Sequence, residues 1–212
     1  MALHITSLNS GSNGNCYYIG NENEAVLIDV GISCKELEAR MNRLGLKMEL
    51  VRAVFISHEH SDHISGLKTL LKKYSVPVFI TPQTLRNGKL RFEASLINNF
   101  IAYETVLVGD LQVTAFPKFH DACDPHSFIV TDGTVNIGVF TDIGQVCDHL
   151  TVHFSRCHAA FLESNYDEVM LREGPYPWYL KNRITSGKGH LSNRQALELF
   201  LNHRPAHMTH LL

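Results

Sequence analysis

Apolar residues open the chain in short runs. LHITSL, CYYIG and AVLIDV carry the β-branched and apolar content of strands. SGSNGN joins the first two, and its Gly11 and Gly14 suit a tight loop. From Cys34 to Leu44 the spacing becomes helical and is closed by Gly45. VRAVFIS returns to a buried strand. Beyond HEHSDH, Leu67, Leu70, Leu71 and Tyr74 recur at helical spacing, with Ser61 or Asp62 as the cap. PVFIT is a further strand, and residues 82–103 read as a short helix and a surface excursion. LQVTAF, SFIVTD and VNIGVFTD are strands, the last two joined by a turn at Gly133, and a helix follows Asp142. HAAFLES is a strand, and YDEVMLRE and PWYLKNR are short helical pieces. LSNRQALELFLNH is an amphipathic helix, and AHMTHLL ends the chain as a strand. Strands lead both halves and alternate with helices. The class is α/β, with helices on both faces of a sheet pair.

No repeat or proline-rich linker interrupts this order, so residues 1–212 read as one domain. A net charge of -2 removes any bulk electrostatic case for nucleic acid, and such binding would have to use local patches. The 5 cysteines are odd in number, widely spaced and without a CxxC pair, which predicts free thiols in a reducing compartment. The N-terminal MALHITSLNS has neither the basic nor the apolar segment of a signal peptide, and no apolar run nears the roughly 18 residues of a membrane span. A cytoplasmic protein is expected. The outlier is histidine, with 13 residues.

Three of those histidines fall in HEHSDH, residues 58–63. Side chains at i and i+2 of a strand share a face. If the VRAVFIS strand runs on to residue 60, His58 and His60 converge, and Glu59 points away. The chain then turns into a helix, where Asp62 and His63 can face a second point. Neutral imidazoles and carboxylates suit zinc, manganese or iron.

HxHxDH closely resembles the first metal motif of the metallo-β-lactamase superfamily, whose fold is a four-layer αβ/βα sandwich. The resemblance continues in order along the chain. LIDVG places Asp29 where the superfamily carries an aspartate that braces the metal loop. FHDACDP supplies His120, FTDIG supplies Asp142 and MTHLL supplies His210. By that resemblance one ion takes His58, His60, His120 and Asp142. A second takes Asp62, His63, Asp142 and His210. Read without the resemblance, His126, His153, His158, His203 and His207 compete for the later places. His60 stands where diiron flavoproteins carry glutamate, which argues against oxygen or nitric oxide reduction. Asp142 stands where common zinc β-lactamases carry cysteine, and a bridging carboxylate favours two equivalent ions, as used on phosphodiesters.

SLNSGSNGNCYYI, LESNYDEVML and GKGHLSN resemble the YycJ/WalJ-type branch, and the likeness spans Ser7 to His210. Its members are cytoplasmic bacterial nucleases similar to 5′-to-3′ exonucleases on double-stranded DNA. The resemblance implies two divalent ions, Zn²⁺ or Mn²⁺ with iron as a third choice, sharing a hydroxide positioned by Asp62. It also implies a proton donor, His190, partnered by Glu163, and DNA rather than RNA as substrate. Plainer roles stand beside these. Glu163 is otherwise a solvated strand-end acid. Ser192 and Asn193 either touch substrate or cap the following helix. Ser12 and Asn13 sit in a loop that is either a phosphate cradle or a plain connection. Lys188, with Lys181 and Arg183, forms a phosphate grip or a solvated face. Tyr176, Trp178 and Tyr179 stack on bases or pack in the core. Family chains continue past the last histidine, so the single domain is read as trimmed at its C-terminus or as having lost that part. Three rival readings are a cyclic phosphodiesterase resembling PhnP, a thioesterase like glyoxalase II, and a metal-bound scaffold without catalysis. Oligomeric state is not legible.

Overall fold

The computed structural model describes residues 2–212. Six strands form the first sheet in chain order: β1 (His4–Asn9), β2 (Cys16–Gly20), β3 (Ala25–Ile28), β4 (Val51–Phe55), β5 (Val78–Phe79) and β6 (Ile97–Asn98). The second sheet holds β7 (Thr105–Val108), β8 (Leu111–Pro117), β9 (His126–Thr131), β10 (Asn136–Phe140), β11 (Ala159–Leu162) and β12 (His210–Leu211). Its spatial order is β12-β11-β10-β9-β8-β7. Strand β7 was not legible as a separate element. It pairs antiparallel with β8 across a turn at Gly109, whose φ of 59 suits glycine.

Alternation along the strands builds three apolar layers. On β3, Val26 and Ile28 face the second sheet and meet Val113, Phe128, Val139 and Phe161. Ala25 and Leu27 face outward, onto Leu37 and Met41 of α1 (Cys34–Arg43). The eight-residue helix α3 (Leu67–Tyr74) adds Leu67, Leu70 and Leu71 to that layer. Outside the second sheet, Phe116, Phe140 and Ala160 pack on α5 (Asp148–Phe154) and α8 (Asn193–His203). The order is helices, sheet, sheet, helices, the αβ/βα sandwich expected. Both faces of each sheet are covered, so the strands read as continuous apolar runs.

The helix expected after HEHSDH is two. Helix α2 (Ser61–Ile64) ends at Ser65, and α3 restarts at Gly66. The break is forced by packing. Gly66 donates to the Val30 carbonyl at 2.9 Å, and a Cβ on it would lie 1.8 Å from the Ile32 carbonyl oxygen. Neither Ser61 nor Asp62 is the cap, since His60 holds that position without a side-chain bond. Residues 82–103 contain α4 (Pro82–Asn87) and the edge strand β6.

Helices α1 and α3 are tied by Glu38, which accepts from Lys73 Nζ at 2.7 Å and Tyr74 Oη at 2.8 Å. Those bonds pull its carboxyl from 4.5 down to about 2. A depressed carboxyl stabilises the fold above its unfolded value and ceases to do so as pH falls. Glu38→Gln should therefore lower the melting temperature at pH 7. The gap to the parent should close between pH 4.5 and 2 in a thermal-melt series. Among the described residues, the cysteines are free thiols, and no helix is long and apolar enough to cross a membrane.

Candidate active site

The loop from Ile56 to His60 leaves the C-terminal end of β4, a strand flanked by β3 and β5. The strand itself ends at Phe55. The histidines still converge, because the loop is clamped from below. Asp29, at a left-handed φ of 61, is fully buried. It accepts from Ser57 N at 2.8 Å, Ser57 Oγ at 2.7 Å and His63 Nδ1 at 2.7 Å. Backbone bonds add to this: Val30 N to the His63 carbonyl, and Asn15 N to the Asp62 carbonyl at 2.7 Å. Gly31 permits the approach, since a Cβ there would stand 1.6 Å from the Asp62 carbonyl oxygen.

These clamps also choose the tautomers. Ser57 Oγ donates to Asp29, so it accepts from His58 Nδ1 at 2.8 Å. His63 Nδ1 donates to Asp29. His120, on the loop after β8, donates Nδ1 to the Gly189 carbonyl at 3.1 Å. His58 and His120 are left with their Nε2 lone pairs facing the site, while His63 turns its Nε2 to Asp142. His58 Nε2 lies 3.1 Å from His60 Nδ1, and His120 Nε2 lies 3.3 Å from the same atom. Burial, helped by the nearby positive groups His63 and Lys118, holds the His58 pKa well below its ordinary value. Burial and Lys118 push His120 down to about 3. Neutral imidazoles with converging lone pairs repel one another and suit a cation between them.

A second group adjoins the first. His58, His63 and Asp142 bring ligand atoms within 4.8 Å of one another. Asp142 follows β10 at a left-handed φ of 52. Its Oδ2 lies 2.6 Å from His63 Nε2 and 3.9 Å from His58 Nε2. That oxygen is buried, and the His63 ring is the group that meets it. Burial alone would raise the Asp142 pKa; His63 and Lys118 outweigh it and hold the carboxyl well below the usual range. Burial would likewise lower His63, but Asp29 and Asp142 raise it to about 10. Asp62 Oδ2 sits 3.7 Å from His63 Nε2. A buried carboxylate oxygen set against the His58, His60 and His120 imidazoles, beside a His63 ring whose Nε2 proton a cation would displace, is the donor chemistry of a divalent cation, so the residues fit the ions that the fold implies.

A third group shares Asp142. Its Oδ1 is 3.4 Å from His190 Nδ1, which donates to Glu163 Oε1 at 2.6 Å. The other Glu163 oxygen accepts from Ile143 N at 2.7 Å and Leu191 N at 3.1 Å. Glu163 is therefore a fixed, buried partner rather than a solvated strand-end acid. Burial lowers the His190 pKa, but the Glu163 carboxylate outweighs it and raises the net value, favouring imidazolium.

Several expected residues lie elsewhere. His210 is exposed and bonds its neighbour, Thr209 Oγ1, at 2.8 Å. It pairs with Ala159 at the start of β11, about four residues or roughly 13 Å along the strand from Glu163 at the site. The structure does not bring it to the cluster. Ser12 and Asn13 are exposed at the loop tip. The residue of that loop that reaches the site is Asn15, whose Nδ2 lies 3.0 Å from His63 Nε2 and 3.3 Å from Asp62 Oδ2. Gly11 and Gly14, at φ of 98 and 131, turn it inward. Ser192 caps α8 within a capping box and donates to Glu168, so its hydroxyl is engaged. Asn193 accepts from Ser164 Oγ. Lys188 is exposed, with its backbone against Gly144. Glu59 turns away, as expected, and accepts from Cys123 N at 2.8 Å. Of the competing histidines, His153 stacks on Phe116, and His158 accepts from Asn136 N while its ring meets His207. His126 donates Nδ1 to the Asp124 carbonyl, and His203 ends α8.

Besides Asn15, Lys118 and Asp121 escaped the sequence reading. Lys118 is buried and donates Nζ to the Thr141 carbonyl at 2.6 Å, bracing the turn into Asp142. Asp121 Oδ1 lies 3.4 Å from His120 Nε2, while its Oδ2 accepts from Arg183 Nε at 2.5 Å. Lys118 carried a signal, a lone cation ending an apolar strand. Asp121 did not.

The family model of the metallo-beta-lactamase superfamily matches residues 10–172. The chain is 35% identical over 201 residues to exodeoxyribonuclease YycJ of Bacillus anthracis, covering 92% of this chain and 75% of that protein. It is 33% identical over 199 residues to exodeoxyribonuclease WalJ of Streptococcus pneumoniae, with 92% and 74% covered. Among solved structures, the metallo-beta-lactamase fold protein YhfI from Bacillus subtilis superposes with a TM-score of 0.72 at 15% identity, over 94% of this chain and 82% of that one. Sequence and fold together place the chain in the metallo-β-lactamase superfamily, in its YycJ/WalJ branch.

Proposed function

We propose that the protein is a dinuclear metal-dependent phosphodiesterase, a 5′-to-3′ exonuclease on double-stranded DNA. The carrying observation is the His190–Glu163 pair at 2.6 Å, set 3.4 Å from Asp142 beside the converging imidazoles. His58, His60, His120 and Asp142 would hold one ion; His63, Asp62 and Asp142 would hold the second. Either Zn²⁺ or Mn²⁺ suits these donors. Bound ions supply a water acidified towards neutral pH and neutralise charge on the phosphoryl oxygens.

The chain's own groups do the rest. Asp62 Oδ2, steadied by Asn15 Nδ2 at 3.3 Å, orients the attacking water in line with phosphorus. As the bond from water to phosphorus forms, the bond to the 3′ oxygen breaks. His190 gives its Nε2 proton to that oxygen, and Glu163 keeps the ring oriented and protonated. The apolar layer shared by both sheets supports one domain working as a unit. The names of the YycJ and WalJ relatives support DNA over RNA. The free thiols fit a cytoplasmic setting.

The test is digestion of a duplex labelled separately at its 5′ and 3′ ends, with Mn²⁺ or Zn²⁺ added. Early release of the 5′ label is expected. Asp62→Ala should slow it by about 10²–10⁴-fold while the circular dichroism spectrum is retained. No release from metal-loaded protein would refute the DNA reading and move the assignment to a small phosphodiester.

A further inference from the structure

A second cavity, of about 650 Å³, opens beside the site between α6 (Glu168–Glu173), α7 (Trp178–Thr185) and the start of α8. Its wall is continuous with the His190 segment. Tyr166 bridges Ser192, its carbonyl accepts from Asn193 N at 2.9 Å, and Glu168 accepts from Ser192 Oγ at 2.9 Å. Ser192 is two residues from His190, a span of at most about 7 Å. At the far end of α7, Arg183 reaches Asp121 on the metal rim. One short helix thus runs from the cavity to the catalytic groups.

Helix α7 buries none of its residues. Helices in folded proteins draw most of their stability from a packed face. The face that α7 turns to the cavity carries Trp178, Lys181, Asn182 and Thr185, spaced i, i+3, i+4 and i+7. Trp178 is 77% exposed, although tryptophan is highly buried on average. The cavity is lined by three cations, Arg172, Lys181 and Arg194, against one carboxylate, Glu168. Arg194 and Ser192 already engage Glu168. Lys181 Nζ donates to the Arg172 carbonyl at 2.6 Å. Arg172 pairs with Glu173, and Arg194 with Glu168 and Glu198, which leaves Lys181, among the described residues, as the lining cation without an acidic partner beside an exposed indole.

We propose that this cavity is a single-strand subsite. An unpaired nucleobase stacks on Trp178, and Lys181 meets its phosphate. The inference rests on the nuclease reading and extends it: the enzyme would hold one frayed strand while the other passes the metal centre. Stacking platforms of this kind accept any base, because every base has an apolar face.

Trp178 is the chain's 1 tryptophan, so its emission reports on this place alone. The experiment titrates metal-loaded full-length protein with a short single-stranded oligothymidylate carrying phosphorothioate linkages, and in parallel with a blunt duplex of equal length. Saturable quenching by the single strand, with less by the duplex, is expected. By fluorescence anisotropy of a labelled strand, Trp178→Ala should raise Kd about tenfold. Lys181→Met should raise it several-fold and flatten the salt dependence. Binding by anisotropy with unchanged Trp178 emission overturns the subsite. So does an emission change that follows protein concentration without oligonucleotide, which would assign the face to a second copy. Quenching without cleavage of ordinary DNA keeps the subsite and defeats the nuclease reading; cleavage without quenching does the reverse.

Discussion

Asp142→Asn should abolish nuclease activity and strip the protein of most of its metal, while leaving the fold in place. Asparagine tolerates the left-handed φ of 52, so the backbone turn survives. What is lost is charge. The carboxylate joins two of the three clusters: Oδ2 meets His63 and His58, and Oδ1 meets His190. An amide carries no charge to offset a cation, and its NH₂ would replace one of the two donor oxygens with a hydrogen-bond donor. Turnover should fall by more than about a thousandfold, the scale of losing a whole catalytic unit rather than one hydrogen bond. Metal content per chain, read by plasma emission after gel filtration, should fall in parallel. Full metal content with normal cleavage would refute the shared-carboxylate arrangement.

Asp29→Ala should be the most destabilising single change near the site. Three hydrogen bonds end on that carboxylate, two from Ser57 and one from His63, with no solvent to replace them. Alanine at φ 61 adds about 1–2 kcal/mol of backbone strain. Leaving a buried, charge-paired group without its partner costs about 3–5 kcal/mol. Against a typical stability of about 5–15 kcal/mol, such a variant should unfold early in urea. Asp29→Asn separates folding from metal binding. The amide still accepts from Ser57 N, but its NH₂ faces His63 Nδ1 and forces the ring's proton onto Nε2. Metal affinity should drop about 10–100-fold while stability without metal changes far less. Equal metal affinity in Asn and parent proteins would show that Asp29 does not set the tautomer.

The parts of the site legible in the sequence are those set by local chain geometry. HEHSDH and Asp29 are positioned by a strand end and the next turn. His120 and Asp142 each follow a strand of the second sheet. His210 misled because AHMTHLL reads as a full strand, whereas only two residues pair, and in a register that begins opposite Ala159. Register is a long-range property, invisible to periodicity. The part played by Asn15 in the N-terminal loop was not legible. Which residue of that loop turns inward depends on the glycine dihedrals, and these bring Asn15 to the metal loop while Ser12 and Asn13 stay at the exposed tip. The helix cap at Ser192 was legible as one of two alternatives, and its capping box decides for that role.

The candidate ligands come from both halves of the sandwich. His58, His60, Asp62 and His63 hang from the first sheet, and His120 and Asp142 from the second. No unfolded chain assembles groups so far apart in sequence. A cation gripped by them would therefore act as a rivet between the two layers. At a free concentration a thousand times its Kd, it would add about 4 kcal/mol to the unfolding free energy. Chelation should accordingly loosen β4 and β10 together in hydrogen exchange, although each belongs to a different sheet.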